Sequence, residues 1–198
     1  SFVVTVLGSG LLAGSISAYV LADNMNAVPI GLVGTSLAVA AFPLLASAAA
    51  RQDPLEFVGT RNRALRLILV FALPASVFVL LLRAQLVRVI LGTGAFDWQD
   101  TQATLDVLGI LALSVVAQSV IPLLARAFFS LHDTRTPMFA SVAAISVNVV
   151  TAALLVPASG IRGLAWAFTI SSLFQFLVLL TVLHTRLRGL EDKILLAS

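Results

Sequence analysis

The amino-acid sequence predicts an all-α protein that crosses a membrane six times. Of its 198 residues, 60% are hydrophobic and 11% are charged, and the mean hydropathy is +1.07. Soluble domains average about 25% charged residues. Six apolar stretches are each long enough to cross the roughly 30 Å hydrocarbon core of a bilayer as a helix. Six such runs in succession exclude a soluble domain and predict a polytopic α-helical membrane protein.

Short polar or proline-containing connections separate the predicted helices. The first two spans contain no charged residue, and the third begins with a long run free of charge. The fourth carries Asp106 and Arg126 near its ends, where long side chains reach the interface. Prolines lie inside three spans and predict kinks there. In chain order the spans cover about 2–22, 29–50, 64–91, 104–129, 137–156 and 163–184.

The basic residues predict how the chain is oriented. Nine of the twelve Lys and Arg residues lie at the ends of even-numbered spans, and these residue types prefer cytoplasmic loops. We therefore expect the first helix to run outwards and both ends of the chain to be cytoplasmic. The chain begins inside an apolar run, without Met or a basic signal region, so we expect it to be a fragment of a longer protein.

The most polar turn, in the stretch SLHDTRTP, separates the fourth and fifth spans. Thr136 followed by Pro137 predicts an N-cap and a first helical residue. Asp133 is expected either to neutralise Arg126 or Arg135, or to accept backbone N–H groups. The residue types alone favour a well-formed cytoplasmic hairpin without a direct functional role.

No pattern in the sequence indicates enzymatic chemistry. His132 and His184 are far apart and lack carboxylate companions, so no metal site is expected. Cysteine is absent, which excludes disulfides and thiolate ligands. Asp97 and Asp100 form a carboxylate pair that helix capping explains more simply than catalysis. The basic residues do not form one patch, so nucleic-acid binding is not expected.

Polar side chains inside the spans are better indicators of function, because hydrocarbon makes them costly unless they face protein or water. Serine and threonine can bond their own helix carbonyls. Gln118 and Asn148 instead need another helix or a hydrated cavity, and both explanations stay open. The candidates are Ser15, Ser17, Gln118, Asn148, Thr169, Ser171, Ser172 and Gln175.

Several stretches together resemble one protein family. They are AGSISAYVLAD, VPIGLVGTSLAVAAFPLLASAAA, LGTGAFDWQDT, LLARAFFSLHDTRTP, and ISVN followed by GIRGLAWAFTIS. In this order they are similar to the C-terminal lobe of the MurJ/MviN-type lipid II flippases, in the multidrug/oligosaccharidyl-lipid/polysaccharide exporter superfamily. The resemblance covers nearly the whole chain. Its most specific mark is the run Asp133, Thr134, Arg135, Thr136 and Pro137.

The resemblance implies two six-helix lobes and two further helices, with this chain supplying helices seven to twelve. Such proteins carry lipid-linked peptidoglycan precursor across the bacterial cytoplasmic (inner) membrane by alternating access. The implied partners are the precursor, membrane lipid, the N-terminal lobe and the last two helices of the same protein. No cofactor is implied, although a coupling cation stays open. The alternatives are a flippase for another polyprenyl-linked saccharide or a drug, and a non-transporting membrane scaffold.

Few site residues carry over from the family. Ser17 matches a cavity-side serine, and Asn24 stands where many members have an arginine expected to meet the pyrophosphate. The expected substrate-cavity residues are Ser17, Asn24, Asn148 and Gln118.

The resemblance also bears on a site for a coupling cation. Cation-coupled members carry carboxylates where this chain has Val4 and Ala152. Asn148 and Thr169 remain as candidate cation neighbours.

Overall fold

The computed structural model describes residues 13–91 and 98–197, which are almost entirely helical. Those ranges contain no β-strand, which confirms the all-α prediction. A π-helical segment, Ile30–Thr35, joins the first two helices. The helices are α1 (Ala13–Pro29), α2 (Ser36–Ala50), α3 (Pro54–Leu91), α4 (Trp98–Ala112), α5 (Val115–Ser130), α6 (Arg135–Ser159) and α7 (Ile161–Ala197).

Helix length and apolar composition fit a protein that spans a membrane. Within the described ranges, four helical runs qualify as spans, and α4 with α5 makes a fifth if the bent pair is one span. The count of six is consistent with these spans, since most of the first predicted span lies in residues 1–12, outside the described ranges. The four runs are Tyr19–Ala50, Pro54–Arg88, Arg135–Ser159 and Ile161–Leu187.

The break expected between spans 2–22 and 29–50 is absent. Residues 13–50 form one uninterrupted helical run, and residues 23–28 lie inside it. Polar side chains alone do not end a helix, because a tight turn also needs a residue that leaves the right-handed helical conformation. The stretch 23–28 contains no glycine and no residue with positive φ.

Residues with positive φ instead mark the three tight helical hairpins of the described chain. Gln52 (φ 55°) follows α2, His132 (φ 59°) follows α5, and Gly160 (φ 54°) follows α6. The first two turns share one hydrogen-bond pattern, in which the left-handed residue and the aspartate after it close a Schellman motif. Asp53 and Asp133 then each accept N–H groups of the next helix. The same turn is therefore built twice.

The fourth predicted span, 104–129, is a bent pair of helices. The axes of α4 and α5 meet at 46°, with the break at residues 113–114. The prolines expected to kink their spans, Pro43, Pro74 and Pro122, lie inside α2, α3 and α5, and each helix continues through its proline.

Close backbone contacts at glycines hold the helices together. Lipid tails are as apolar as leucine, so helices in a bilayer associate through close packing and polar contacts. A Cβ added at Gly34 would lie 2.5 Å from the Cα of Ser119 on α5. One added at Gly163 would lie 2.6 Å from the backbone of Leu155 on α6. These contacts bring the π-helical segment against α5, and α7 against α6.

Candidate functional site

A cavity of about 410 Å³, with a largely apolar wall that carries several amide and hydroxyl side chains, lies among α1, α5, α6 and α7. None of the described residues that line it is charged. Tyr19 reaches it from α1, while Pro122 and Phe168 supply apolar walls. The amide and serine residues of its lining are Gln118, Ser141, Asn148, Ser171, Ser172 and Gln175.

Helical periodicity explains why these side chains meet. Ser141 and Asn148 are seven residues apart on α6, and Ser171 and Gln175 are four apart on α7, so each pair shares one helix face. Since α6 packs along α7, the two polar stripes face one cavity. The spacing Ser141–Asn148 could have identified Ser141 from the sequence. No sequence signal indicated Tyr19.

The orientation of the Asn148 amide follows from its serine partner. Asn148 Nδ2 donates to Ser171 Oγ at 3.2 Å, and Ser171 Oγ donates to the Phe168 carbonyl at 2.9 Å. Because the serine proton is used on the backbone, only the serine lone pairs remain for the amide. The amide nitrogen must therefore face Ser171, which leaves the Asn148 Oδ1 available to the cavity.

Two further amides repeat this arrangement. Gln175 Nε2 donates to Ser141 Oγ at 3.1 Å, and Gln118 Nε2 donates to Ser114 Oγ at 2.6 Å. Each serine in turn donates to a backbone carbonyl of its own chain, three or four residues earlier. The cavity thus presents neutral amide oxygens, which accept hydrogen bonds from hydroxyl and N–H groups.

The other predicted site residues lie elsewhere. Ser17 and Asn24 are exposed on α1 and do not line this cavity. Thr169 is buried, and its hydroxyl donates to the Ile110 carbonyl of α4 at 3.2 Å. Among the described residues there is no group of three His, Asp or Glu side chains that could hold a metal ion.

The polar turn before α6 is organised by Asp133. Its Oδ1 accepts the N–H groups of Arg135 and Thr136 at 3.1 and 3.0 Å, and its Oδ2 accepts the Thr136 hydroxyl at 2.7 Å. The expected cap at Thr136 and Pro137 is wrong, because α6 begins two residues earlier, at Arg135, and Asp133 supplies the capping oxygens. Of the two expectations for Asp133, bonding to backbone N–H groups is confirmed. Its ion pair is with Arg186 of α7, at 3.0 Å, rather than with Arg126 or Arg135.

The same contacts set the ionisation of Asp133. Hydrogen bonds from the Thr136 side chain and backbone, together with the charge of Arg186, lower the pKa of the Asp133 carboxyl. Its stabilising effect is complete above the unfolded pKa of about 4 and is lost as the pH falls through the lower folded value.

Replacing Asp133 with asparagine is expected to lower the free energy of unfolding by about 1–2 kcal/mol at pH 7, because the charged cap and the ion pair are lost. Thermal unfolding of the purified protein measures this difference, which should shrink below about pH 4, as the wild-type carboxyl becomes protonated. Asp53→Asn is the matched control, since Asp53 caps α3 but has no ion pair among the described residues. Equal losses in the two variants, or a loss independent of pH, would contradict the account.

A comparison with known protein families identifies the family of this chain. The family model described as "Lipid II flippase MurJ" matches residues 1–198. The chain belongs to the lipid II flippase MurJ family. This confirms the resemblance that the sequence motifs indicated.

Individual MurJ proteins agree with the family match. The probable lipid II flippase MurJ of Rhizobium tropici is 29% identical over 91% of this chain and 34% of its own length. That of Rhizobium meliloti (strain 1021) is 31% identical over 87% of this chain and 32% of its own length. A solved structure, "Lipid II flippase MurJ, inward closed conformation", superposes with a TM-score of 0.81 at 25% identity, over 90% of this chain and 38% of that one. The chain spans about a third of the length of these relatives.

Proposed function

We propose that the chain is one lobe of a flippase that carries lipid-linked peptidoglycan precursor across the bacterial cytoplasmic membrane by alternating access. The proposal rests on a cavity that holds three amide side chains and no charged residue in its described lining, inside membrane-spanning helices of a MurJ-family chain. Exposed amide oxygens inside a bilayer are costly unless they contact water or a polar cargo. Binding would be reversible, without covalent chemistry.

The chemistry of the cavity suggests which part of the precursor this lobe contacts. Neutral amide oxygens suit the hydroxyl and amide N–H groups of a saccharide. A pyrophosphate needs cations or clustered donors, and no described residue lining this cavity is a cation. Asn24 also lacks the charge that many family members carry at its position. The anionic group would therefore be bound chiefly by the N-terminal lobe.

The remaining surfaces fit a lobe that packs in lipid and against other helices of the same protein. Leu81 and Leu154 are each 71% exposed on α3 and α6. Such side chains are stable against lipid tails or against a second lobe. The basic residues near the hairpin ends, including Arg51 and Arg186, support a cytoplasmic location for both ends of the chain, because Lys and Arg prefer cytoplasmic loops.

Asn24 is the observation that favours a different function. A non-transporting scaffold has no need of a cavity arginine, so an exposed asparagine at this position fits that function. Arginine or lysine within the first helices of the complete protein would favour transport, and their absence would favour the scaffold. Another polyprenyl-linked saccharide would satisfy the same acceptor groups, so the cargo has to be assayed directly.

Depletion of the complete protein in its host tests the proposal. The amount of precursor that reaches the outer face of the membrane should fall sharply, while precursor accumulates inside. Labelling of the precursor by an added, membrane-impermeant enzyme measures the outer fraction. Normal exposure at the outer face, in a host with no second flippase, would exclude transport and leave the scaffold. If depletion lowered the outer-face exposure of another polyprenyl-linked saccharide alone, that saccharide would be the cargo.

A further inference from the structure

The break between α4 and α5 is not caused by a helix-breaking residue at the break itself. Neither Leu113 nor Ser114 is a proline or a glycine, and the helix axes still change direction by 46°. The N–H groups of Leu113 and Ser114 reach back three residues instead of four, at 3.2 and 2.9 Å. Inside a bilayer, a bend of this kind persists only if the freed carbonyls find other donors.

Side-chain hydroxyls donate to three consecutive carbonyls at the break, and the first two of these carbonyls also accept the N–H groups of Leu113 and Ser114. One hydroxyl comes from α3, one from α7 and one from the break itself, so three elements hold the bend. The carbonyls of Ile110, Leu111 and Ala112 accept from Thr169 at 3.2 Å, Ser114 at 2.6 Å and Ser76 at 2.8 Å, respectively.

One of these hydroxyls also belongs to the cavity network. Ser114 Oγ accepts the Gln118 Nε2 hydrogen bond at 2.6 Å, and Gln118 lines the cavity. Ser114 itself is fully buried. A continuous path of hydrogen bonds therefore runs from the cavity, through Gln118 and Ser114, to the Leu111 carbonyl at the break.

We propose that Gln118 and Ser114 couple occupancy of the cavity to the angle between α4 and α5. Cargo that donates to Gln118 Oε1 fixes the amide with its nitrogen on Ser114, which keeps the Ser114 hydroxyl proton on the Leu111 carbonyl. Occupancy thus stabilises the bent form, and loss of cargo releases Gln118 and loosens the bend. Ser114 is a positioning residue that acts through Gln118. The cargo step rests on the proposed function.

The other two hydroxyls serve as an internal comparison. Ser76 and Thr169 lie outside the cavity lining, and they support the bend whether or not the cavity is occupied. Their removal should loosen the bend but preserve its response to cargo. A ligand shifts a conformational equilibrium only through different affinities for the two states, so the response must require Gln118.

Distance measurements between two spin labels test the coupling. Gln102 and Phe129 are exposed on α4 and α5 and accept labels as Gln102→Cys and Phe129→Cys. Straightening the whole bend would lengthen the distance between these two residues by about 3 Å, given a rise of 1.5 Å per residue. The complete protein in nanodiscs is measured with and without purified lipid II.

Without lipid II, Gln118→Leu and Ser114→Ala should each shift the distribution towards longer distances than the wild type shows. Addition of lipid II should narrow the wild-type and Thr169→Val distributions around the short distance and leave the two variants unchanged. Gln175→Leu is the matched control. It removes a cavity amide that does not contact the break, so it should weaken lipid II binding and leave the ligand-free distance unchanged.

Any of three results would overturn the coupling. The first is a ligand-free distance distribution that is the same in the wild type and both variants. The second is a wild-type protein that binds lipid II without narrowing its distribution, and the third is a Gln118→Leu variant that narrows as the wild type does. Failure of the wild type to bind lipid II would instead refute the proposed function, and the ligand-free comparison would still decide whether Gln118 controls the bend.

Discussion

Gly34→Ala is expected to destabilise the lobe, whereas Gly31→Ala in the same π-helical segment is expected to be tolerated. A Cβ at Gly34 would lie 2.5 and 2.6 Å from the Cα and carbonyl oxygen of Ser119, which are backbone atoms of α5. Backbone cannot rotate away as a side chain can, so the two helices must separate. Overpacking costs about 1–3 kcal/mol, and a rigid backbone contact should lie at the upper end of that range.

Gly31 provides a control with the same chemical change in the same segment. A Cβ there meets no atom within 4 Å, and alanine should add about 0.5–1 kcal/mol of helix stability relative to glycine. Thermal unfolding of both purified variants measures the contrast, and Gly34→Ala should also weaken transport because it displaces Ser119, the neighbour of Gln118. Equal stability of the two variants would show that the close approach of the π-helical segment to α5 is wrong.

Asn148→Leu and Gln175→Leu are each expected to lower the rate of precursor transport about tenfold. Each substitution removes one neutral acceptor, and a lost hydrogen bond of about 1–1.5 kcal/mol corresponds to that factor. The fold should survive in Asn148→Leu, because the Ser171 hydroxyl keeps its bond to the Phe168 carbonyl. Translocation of lipid II into reconstituted vesicles measures the rate.

Ser146→Ala is the matched control for these cavity variants. Ser146 lies on the exposed side of α6, and its hydroxyl bonds the Val142 carbonyl of its own helix. Transport should stay near the wild-type rate in this variant. Wild-type transport in Asn148→Leu, or an equal loss in Ser146→Ala, would contradict a role for the cavity oxygens.

Hydropathy and charge predicted the class of fold and most of the spans, because the cost of polar groups in lipid leaves few alternatives. Polarity correctly indicated the turns after α2 and α5 but failed at residues 23–28, where the helix continues. Asp23 and Asn24 lie inside a helix, whereas Gln52 and His132 end one. The Schellman hydrogen bonds stabilise the left-handed conformation of Gln52 and His132. These bonds form only in the folded chain, so the residue types alone do not reveal them.

The cavity was only partly predictable. The polar residues Gln118 and Asn148 stood out because an amide in lipid needs a partner. Ser17 and Asn24 were expected beside them by resemblance and lie elsewhere on α1. The break at residues 113–114 had no sequence signal, because two of its three hydroxyl donors, Ser76 and Thr169, are distant in the chain and meet it only in the folded protein.

Photocrosslinking from the cavity tests directly whether the precursor binds there. A benzophenone amino acid is placed at Ile145, which lines the cavity, or at Leu154, which is exposed on the same helix and does not. The complete protein is then irradiated in membranes with radiolabelled lipid II. We expect an adduct at Ile145 that unlabelled lipid II competes away, and no competed adduct at Leu154. Equal labelling at both positions, or an Ile145 adduct that excess lipid II does not reduce, would contradict binding of the precursor in this cavity.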